Sequence, residues 1–434
     1  MEEFTGYEKF TTTEKGEIEK KITILQILIK LFKFLRVWPI DDNDNNNNSR
    51  SKLINNGIAW IFFASSGLVI LSFAVEIILY YEGLNKIVGV IDYGTACISA
   101  LFRIMHFYFN NVKYKKMIDK LLNNFLCRPI FSREKTDSVD SYYYLAKKVM
   151  VTYSSVTFVW ILYFLISPIF KWMGTFLLSG INGEDLPFPK ILPGYFPMDT
   201  SKLSGGIIFY IWQGIPIFLL VVVYVSADCF WYLIIILTIG QFNILKLSIE
   251  SVSDSINDEK IDGEEDFMPL EKNKMIQVDM KLRKCLKFHG FLTEYVCLMD
   301  DLLNKSVMVD YLHAIISIAF LLLDVTINLT SGVWSKFLST ALFLALSIAH
   351  MFIFDWMGHT LAQKEKEISL TIYDLPWYRF LSQKHKIILC DFKSKNPHRL
   401  TGGKTFKLSL EFFTKTMRII FSYFTFLLQI RDEK

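Results

Sequence analysis

Seven apolar runs, each long enough to cross a lipid bilayer, constrain this 434-residue chain more than any other feature of its sequence. A helix rises about 1.5 Å per residue, so roughly 20 apolar residues span a hydrocarbon core. The fourth run continues to Leu245, and its inner end is predicted to project from the membrane as a helix. The runs are Ile58–Tyr81, Ile87–Phe109, Val149–Phe170, Ile207–Tyr232, Val307–Leu329, Phe337–Trp356 and Phe406–Ile430. They predict an all-α, polytopic membrane protein.

Composition agrees with this fold class. Hydrophobic residues make up 52% of the chain, the mean hydropathy is +0.31, and charged residues are concentrated in blocks between the apolar runs. The net charge of +4 predicts no nucleic-acid partner, and the acidic start MEEFTGYEKF predicts no cleaved signal peptide. Since no HExxH, P-loop or GxSxG motif occurs, the sequence predicts neither an enzyme nor a cofactor.

The distribution of Lys and Arg predicts which side of the membrane each connection occupies. Nine basic residues precede the first span, and nine lie between spans two and three. In contrast, Lys86 alone lies between spans one and two, and Lys336 alone between spans five and six. Because basic connections stay cytosolic, the amino terminus is predicted inside and the carboxy terminus outside. This topology is the inverse of a G-protein-coupled receptor.

The spans divide the chain into six predicted segments. Residues 1–57 form a cytosolic segment with an interfacial helix at 22–38 and a low-complexity loop at 41–48. Spans one to four occupy 58–245, and spans five and six occupy 307–356. The intervening regions 246–306, with an insertion at 250–275, and 357–405 are predicted to form a cytosolic helical anchor. Residues 406–434 contain span seven and an outer tail.

Several ionisable residues are predicted at bilayer depth, where each needs a partner or water. Asp92 and Arg103 lie eleven residues apart, about three turns, and therefore share a helix face. We interpret them as residues that fix helix packing. The same interpretation applies to His106, Asp310, His313, Glu76, Asp228 and Asp355.

The seventh span carries a continuous polar stripe. At about 100° per residue, its polar side chains fall within an arc of about 80°. They are Lys407, Glu411, Lys415 and Arg418 in the inner half, followed by Ser422, Thr425 and Gln429. The stripe predicts either a packed polar seam or, as its charges favour, the lining of a water-filled pore shared by several subunits. Phe426 and Ile430 border its outer end and are positioned to form a hydrophobic gate.

The carboxy-terminal sequence resembles that of insect odorant receptors. The resemblance rests on IYDLPWYRF (372–380) and on FKSKNPHRLTGGKTFKLSLEFFTKTMRIIFSYFTFLLQI (392–430). Further matches are RVWPI (36–40), LPGYFPMDTSK (192–202), Asp228 and LRKCLKFHGFL (282–292). Together they cover nearly the whole chain in the family's order.

This resemblance implies an odorant-tuning subunit of a heteromeric, ligand-gated, non-selective cation channel. Its partners would be co-receptor subunits in a heterotetramer, a small volatile ligand and the lipid bilayer, in the plasma membrane of a sensory dendrite. The family's YFxxLxQ pattern places the outer constriction at Phe426 and Ile430, beside Gln429. Phe426 is bulkier than the β-branched residue found there in the family.

The resemblance also implies an odorant pocket in the outer leaflet, among spans two, three, four and six. Residues of suitable depth are Tyr93, Ala96, Cys97, Tyr163, Phe164, Ser167, Phe209, Trp212, Gln213, Trp334 and Phe337. Asn328 begins a glycosylation sequon in a predicted outer loop. Two alternatives stay open at this point: a gustatory-type channel of the same superfamily, and a G-protein-coupled seven-helix receptor.

Overall fold

The computed structural model describes residues 84–125, 136–179, 188–191, 203–257, 272–332, 334–375 and 398–432, with scattered helical positions between 64 and 78. Within these ranges the side chains of 84–93, 122–125 and 136–140 are among those not described. The predicted interfacial helix at 22–38, the loop at 41–48, most of span one and most of the 250–275 insertion lie outside the described residues. So do the matched segments at 36–40 and 192–202.

The described residues form seven helices and one short hairpin. The helices are α1 (Leu84–Phe109), α2 (Asn111–Phe125), α3 (Thr136–Ser179), α4 (Leu203–Asn257), α5 (Lys272–Thr330), α6 (Trp334–Tyr373) and α7 (Leu410–Asp432). The hairpin pairs β1 (Thr401–Gly402) with β2 (Phe406–Lys407) in antiparallel register. Predicted spans two to six lie within α1, α3, α4, α5 and α6, and α7 contains most of span seven. The predicted all-α class is therefore confirmed.

Four of the described helices contain segments that are long and apolar enough to cross a membrane. The segments are Ser141–Leu177, Leu203–Asp254, Asn273–Thr330 and Lys336–Tyr373. The 55-residue helix α4 is about 80 Å long at 1.5 Å per residue, far more than the roughly 30 Å of a hydrocarbon core. It continues past Leu245 to Asn257, as the unbroken apolar run predicts. The chain is a multi-pass membrane protein, and α4 is longer than one crossing requires.

Polar contacts connect the helices in the region that the sequence predicts to be the cytosolic anchor. Lys246 on α4 forms an ion pair with Glu367 on α6 at 3.2 Å. The backbone N–H of His398 donates to the buried Glu365 carboxylate at 2.7 Å, and its ring Nδ1 lies 3.1 Å from the same group. Burial raises the pKa of Glu365, and the contacts with His398 oppose that rise. The chain that enters the hairpin is thereby attached to α6.

The structure corrects the predicted start of the last helix. Lys407 lies on β2 opposite Thr401, and α7 begins three residues later at Leu410. Ser409 stops the helix from extending further back, because its Oγ accepts the backbone N–H of Phe412 at 3.1 Å and caps the first turn. The polar stripe within α7 therefore begins at Glu411, and the assignment of Lys407 to a helical arc was wrong.

The hairpin packs against α5 through its turn. Gly403 has a left-handed backbone with φ of 57°, and a Cβ at this position would lie 2.3 Å from Sδ of Met308. Its N–H donates to the carbonyl of Asn304 at 2.8 Å, while the N–H of Thr401 donates to Asp300 at 2.6 Å. Burial raises the pKa of Asp300, and the bonds from Thr401 lower it. These contacts hold the base of α7 on α5.

Candidate ligand cavity and ion pathway

A buried arginine on α1 connects helices that are far apart in the chain. The Arg103 guanidinium is 3% exposed and forms an ion pair with Asp228 on α4. It also binds Asp310 on α5 through two nitrogens, Nε at 2.7 Å and Nη2 at 2.6 Å. A two-point contact of this kind holds both side chains in one orientation. Arg103, Asp228 and Asp310, with the side chains described next, form what we call the arginine cluster.

Neutral side chains satisfy the remaining polar atoms of the arginine cluster. The Tyr153 hydroxyl on α3 donates to Asp228 at 2.9 Å, and the Ser99 hydroxyl donates to Asp310 at 2.8 Å. The Tyr224 ring lies under the guanidinium, 4.0 Å from its central carbon. Nε2 of His350 on α6 lies 3.4 Å from Asp228. The cluster thus joins α1, α3, α4, α5 and α6.

A cavity lies directly against the arginine cluster. Its volume is about 140 Å³, roughly ten times the 10–15 Å³ that one water molecule requires by the same measure. Tyr153, Tyr224, Asp310, His313 and His350 provide polar groups at one end, which we call the floor. The other lining side chains, from α1, α3, α4, α5 and α6, are mostly apolar. An apolar chamber with a few polar groups at one end suits a small, largely hydrophobic molecule.

Stacked aromatic rings form the wall between α3 and α6. The rings of Trp160 and Phe343 are nearly parallel, at 10°, with centroids 4.5 Å apart. Phe164 stacks on the other side of this pair, 5.4 Å from Trp160. The indole N–H of Trp160 donates to the carbonyl of Ser339 at 3.3 Å. This bond fixes the indole plane, so the cavity presents a rigid flat surface to a ligand.

The cavity lies deeper than the predicted odorant pocket. Ala96, Cys97 and Phe164 line it, whereas the side chain of Tyr93 lies outside the described residues. The lining residues on α4 begin at Ile217 and those on α6 at Phe343, one to two turns farther along each helix than predicted. The other predicted residues do not line the cavity: Tyr163, Ser167, Phe209, Trp212, Gln213, Trp334 and Phe337.

Sequence reasoning overlooked the contribution of α5. Asp310 and His313 stood out as ionisable residues within a span, but nothing in their spacing connected them with a ligand. In the structure both line the cavity, together with Ala314 and Ser317. Intramembrane charge was the available signal, because such groups often mark functional sites. The family resemblance directed attention to four other spans instead.

The polar stripe of α7 is exposed on the described chain. Glu411 and Lys415 pair at 2.6 Å, and their side chains are 77% and 64% exposed. Arg418, Ser422, Thr425 and Gln429 continue this exposed row. At about 100° per residue, the fully buried Ile420 lies opposite the row. The helix therefore turns its apolar face to its own subunit and its polar face outward.

The predicted gate residues lie beside this row. Phe426 is 58% exposed, and Ile430 is partly buried. The second half of the row consists of Ser422, Thr425 and Gln429, so it is polar without carrying charge. The Thr425 hydroxyl donates to the carbonyl of Ser422 at 2.8 Å. Phe426 and Ile430 are one turn apart near the carboxy-terminal end of α7, and their role as a gate stays a prediction.

Asp355 on α6 connects the base of α7 with α5. One carboxylate oxygen accepts the backbone N–H of Ser409 at 2.9 Å, and the other accepts the Tyr311 hydroxyl. The Tyr311 ring packs on Phe412, with centroids 5.6 Å apart. Tyr311 directly follows Asp310, which belongs to the cavity floor. Asp355 and Tyr311 thus connect the start of α7 with the segment of α5 that lines the cavity floor.

The proposed glycosylation site does not lie in an open loop. Asn328 is in the last turn of α5 and is only 7% exposed. The hydroxyl of Ser331 donates to its backbone carbonyl at 3.3 Å. Transfer of a glycan requires an accessible asparagine, so the structure does not support Asn328 as an acceptor.

The fold defines a helical, multi-pass membrane protein with an internal cavity among its helices. The family model described as 7tm Odorant receptor matches residues 83–421, most of the chain. The chain therefore belongs to the insect odorant receptor family. This is a family of receptors and not of enzymes, and it favours the odorant branch over the gustatory alternative.

Individual relatives and solved structures agree with this assignment. The chain is 21% identical to Odorant receptor 13a of Drosophila melanogaster over 92% of its own length and 94% of that protein. It is 21% identical to Odorant receptor 10 of Aedes albopictus over 58% of its own length, and the match spans 62% of that relative. The olfactory receptor OR5 from Machilis hrabei shares the fold, with a TM-score of 0.73 at 13% identity, covering 96% of this chain and 100% of that one. The same receptor in complex with eugenol gives a TM-score of 0.70 at 12% identity, covering 94% and 99% of the two chains.

Proposed function

We propose that this odorant receptor is the tuning subunit of a heteromeric, ligand-gated, non-selective cation channel. The observation that carries the proposal is the outward-facing polar row of α7, from Glu411 to Gln429, opposite a buried apolar face. Lipid does not solvate such a row, so it requires water or another subunit. One helix cannot enclose a pore by itself, so a pore lined by α7 requires several subunits around a common axis. The expected partners are co-receptor subunits in a heterotetramer in the plasma membrane.

The ligand class follows from the cavity. Stacked aromatic rings and aliphatic side chains offer apolar contact, and the floor offers Tyr224, His313 and His350 as hydrogen-bonding groups. A volatile molecule with one polar group matches this arrangement, its apolar part on Trp160 and its polar end toward the floor. The related OR5 receptor has been solved in complex with eugenol.

Gating is proposed to proceed from the cavity to α7 through α5 and α6. The ligand shifts the equilibrium only as far as it binds the open state more tightly than the closed one. Its contacts at Asp310 and His350 bear on α5 and α6, and the hydrogen bonds of Asp355 carry the displacement to Ser409. Phe426 and Ile430 then move apart, and Gln429 lines a hydrated path.

The proposal is tested by recording from cells that express this chain with and without a co-receptor subunit, against a panel of volatiles. Ligand-evoked cation currents that require both subunits are expected. A tag on the carboxy terminus should stain intact cells, because the predicted topology places it outside. Volatile responses that need a G protein and no co-receptor would contradict the channel.

Enlarging the predicted gate should raise the current without ligand. Replacing Phe426 or Ile430 with Ala removes apolar bulk from the outer end of α7, and a wider, wetter constriction favours conduction. Basal current and single-channel conductance are the measurements. Phe421 is an exposed phenylalanine of the same helix on the other side of the row, so Phe421→Ala serves as the matched control. Unchanged currents in both gate variants would argue strongly against this assignment.

Removing the Asp355 carboxylate should uncouple the cavity from the pore. Asp355→Ala leaves the N–H of Ser409 and the hydroxyl of Tyr311 without their acceptor. Hydrogen bonds to a charged group contribute about 1.5–3 kcal/mol each, so we expect the maximal evoked current to fall about tenfold or more. Current normalised to surface protein is the measurement. Asp355→Asn keeps one acceptor oxygen and should retain more of the response; equal currents in Asp355→Ala and the parent would contradict this coupling.

A further inference from the structure

A second cavity lies between α3 and α4, next to the ligand cavity. Its volume is about 320 Å³. Five of its lining residues do not also line the ligand cavity: Ser154, Ser155 and Phe158 on α3, and Val222 and Ser226 on α4. We call it the lateral groove. The segments that form it lie in the middle of predicted spans three and four, at bilayer depth. The predicted spans therefore place the lateral groove beside the hydrocarbon region of the bilayer.

Four side chains separate the lateral groove from the ligand cavity. Thr157 and Ile161 on α3 and Val221 and Val225 on α4 line both chambers. The partition is thus one side chain thick. Thr157 and Ile161 are buried, and Val221 and Val225 are partly buried, so movement of these four side chains would join the two chambers.

The groove is lined mostly by apolar groups, and three of its four hydroxyl groups are bonded within their own helices. Ser154 donates to the carbonyl of Val151 at 3.2 Å, Thr157 to Tyr153 at 2.8 Å, and Ser226 to Val222 at 2.6 Å. These bonds to the preceding turn of the same helix satisfy the hydroxyl protons. These three hydroxyls therefore need no hydrogen-bond partner from the groove.

The exposed face around the groove is suited to lipid. Val151, Val156, Phe158 and Val159 on α3 are each about half exposed or more. At the outer edge the Phe158 ring meets Phe218 of α4 edge-on, with centroids 6.5 Å apart. Such an apolar face is compatible with volatile molecules that partition into the bilayer, and only the four-residue partition separates the groove beside it from the ligand cavity.

From these observations we infer that the lateral groove is the entrance through which an apolar ligand passes from the bilayer into the ligand cavity. The inference rests on the proposed function, since it assumes that the cavity holds the ligand. The passing molecule is a small hydrophobic compound that leaves the bilayer between Ser155 and Phe158 and crosses the wall at Thr157 and Val225.

Blocking the entrance should slow binding and unbinding equally. Ser155→Trp places a large ring in the lateral groove without touching the ligand cavity. Because entry and exit use one path, we expect activation and deactivation rates to fall about tenfold while the half-maximal concentration is unchanged. Phe158→Ala should accelerate both rates. Val159→Trp, on the same helix but outside both cavities, is the control.

The measurement uses rapid pulses of eugenol, or of the strongest agonist in the volatile panel if eugenol is silent, on the receptor expressed with its co-receptor. Unchanged rates in Ser155→Trp would overturn the entrance. A changed half-maximal concentration at unchanged rates would indicate a lipid or modulator site instead, and would overturn it too. Absence of any evoked current in the parent receptor counts against the proposed function and not against the groove.

A second measurement needs no agonist. A nitroxide attached to Ser155→Cys in the solubilised protein, which is then returned to lipid, reports its surroundings by electron paramagnetic resonance. We expect its relaxation to be accelerated by oxygen, which concentrates in hydrocarbon, and not by a water-soluble nickel chelate; the parent protein treated in the same way gives the background from the native cysteines. Acceleration by the chelate, or by neither agent, would show that the groove does not open to lipid and would refute the inference.

Discussion

Replacing Arg103 with Ala is expected to prevent the receptor from reaching the cell surface. The substitution leaves Asp228 and Asp310, both buried, without their counter-ion. Removing one partner of a buried ion pair costs about 3–5 kcal/mol, a large share of the roughly 5–15 kcal/mol that stabilises a typical folded domain. Surface biotinylation and thermal unfolding of the solubilised protein measure the loss.

Two variants show whether the uncompensated charge is the cause. Arg283→Ala removes an arginine that is 53% exposed and pairs with Asp279 on the same helix, where such a pair contributes about 0.3–0.5 kcal/mol. It should leave surface expression unchanged. Combining Arg103→Met with Asp228→Asn and Asp310→Asn removes all three charges and should recover part of the expression. Normal expression of Arg103→Ala would contradict the structural role of the arginine cluster.

Filling the ligand cavity is expected to weaken the response to the ligand strongly while the receptor still reaches the membrane. Ala96 lines the cavity on α1, and Ala96→Trp places an indole where the ligand is proposed to bind. Forcing extra volume into an occupied site costs about 1–3 kcal/mol, which corresponds to a roughly tenfold to hundredfold rise in the half-maximal concentration. Concentration–response curves with matched surface expression measure the change.

The matched control lies two residues away on the same helix. Ile98 is about half exposed and points away from the cavity, so Ile98→Trp adds comparable bulk outside it. It should leave the concentration–response curve in place. An unaltered curve in Ala96→Trp, or an equal shift in both variants, would mean that ligand binds elsewhere.

The last helix was the element most accessible to sequence reasoning. Its polar row repeats every three or four residues, and the structure exposes that row from Glu411 onward. The failure concerned Lys407, whose spacing fits the same helical period although it lies on β2. Spacing does not reveal where a helix begins. The Ser409 cap and the left-handed turn at Gly403 decide that point.

The residues that line the ligand cavity were harder to predict from the sequence. Its helices were recognised, but residues such as Trp160, Tyr224 and Phe343 belong to apolar runs in which every position suits lipid, packing or a ligand equally well. The rotation and depth of one helix against the next select among them. A shift of one or two turns along α4 and α6 separates the predicted residues from those that line the chamber.

The sequence by itself determined the class, the approximate spans and the polar row of α7, because length, hydropathy and helical period are properties of consecutive residues. Only the tertiary structure decided which side chains meet. Arg103 lies 125 residues from Asp228 and 207 from Asp310, and no local pattern encodes those distances.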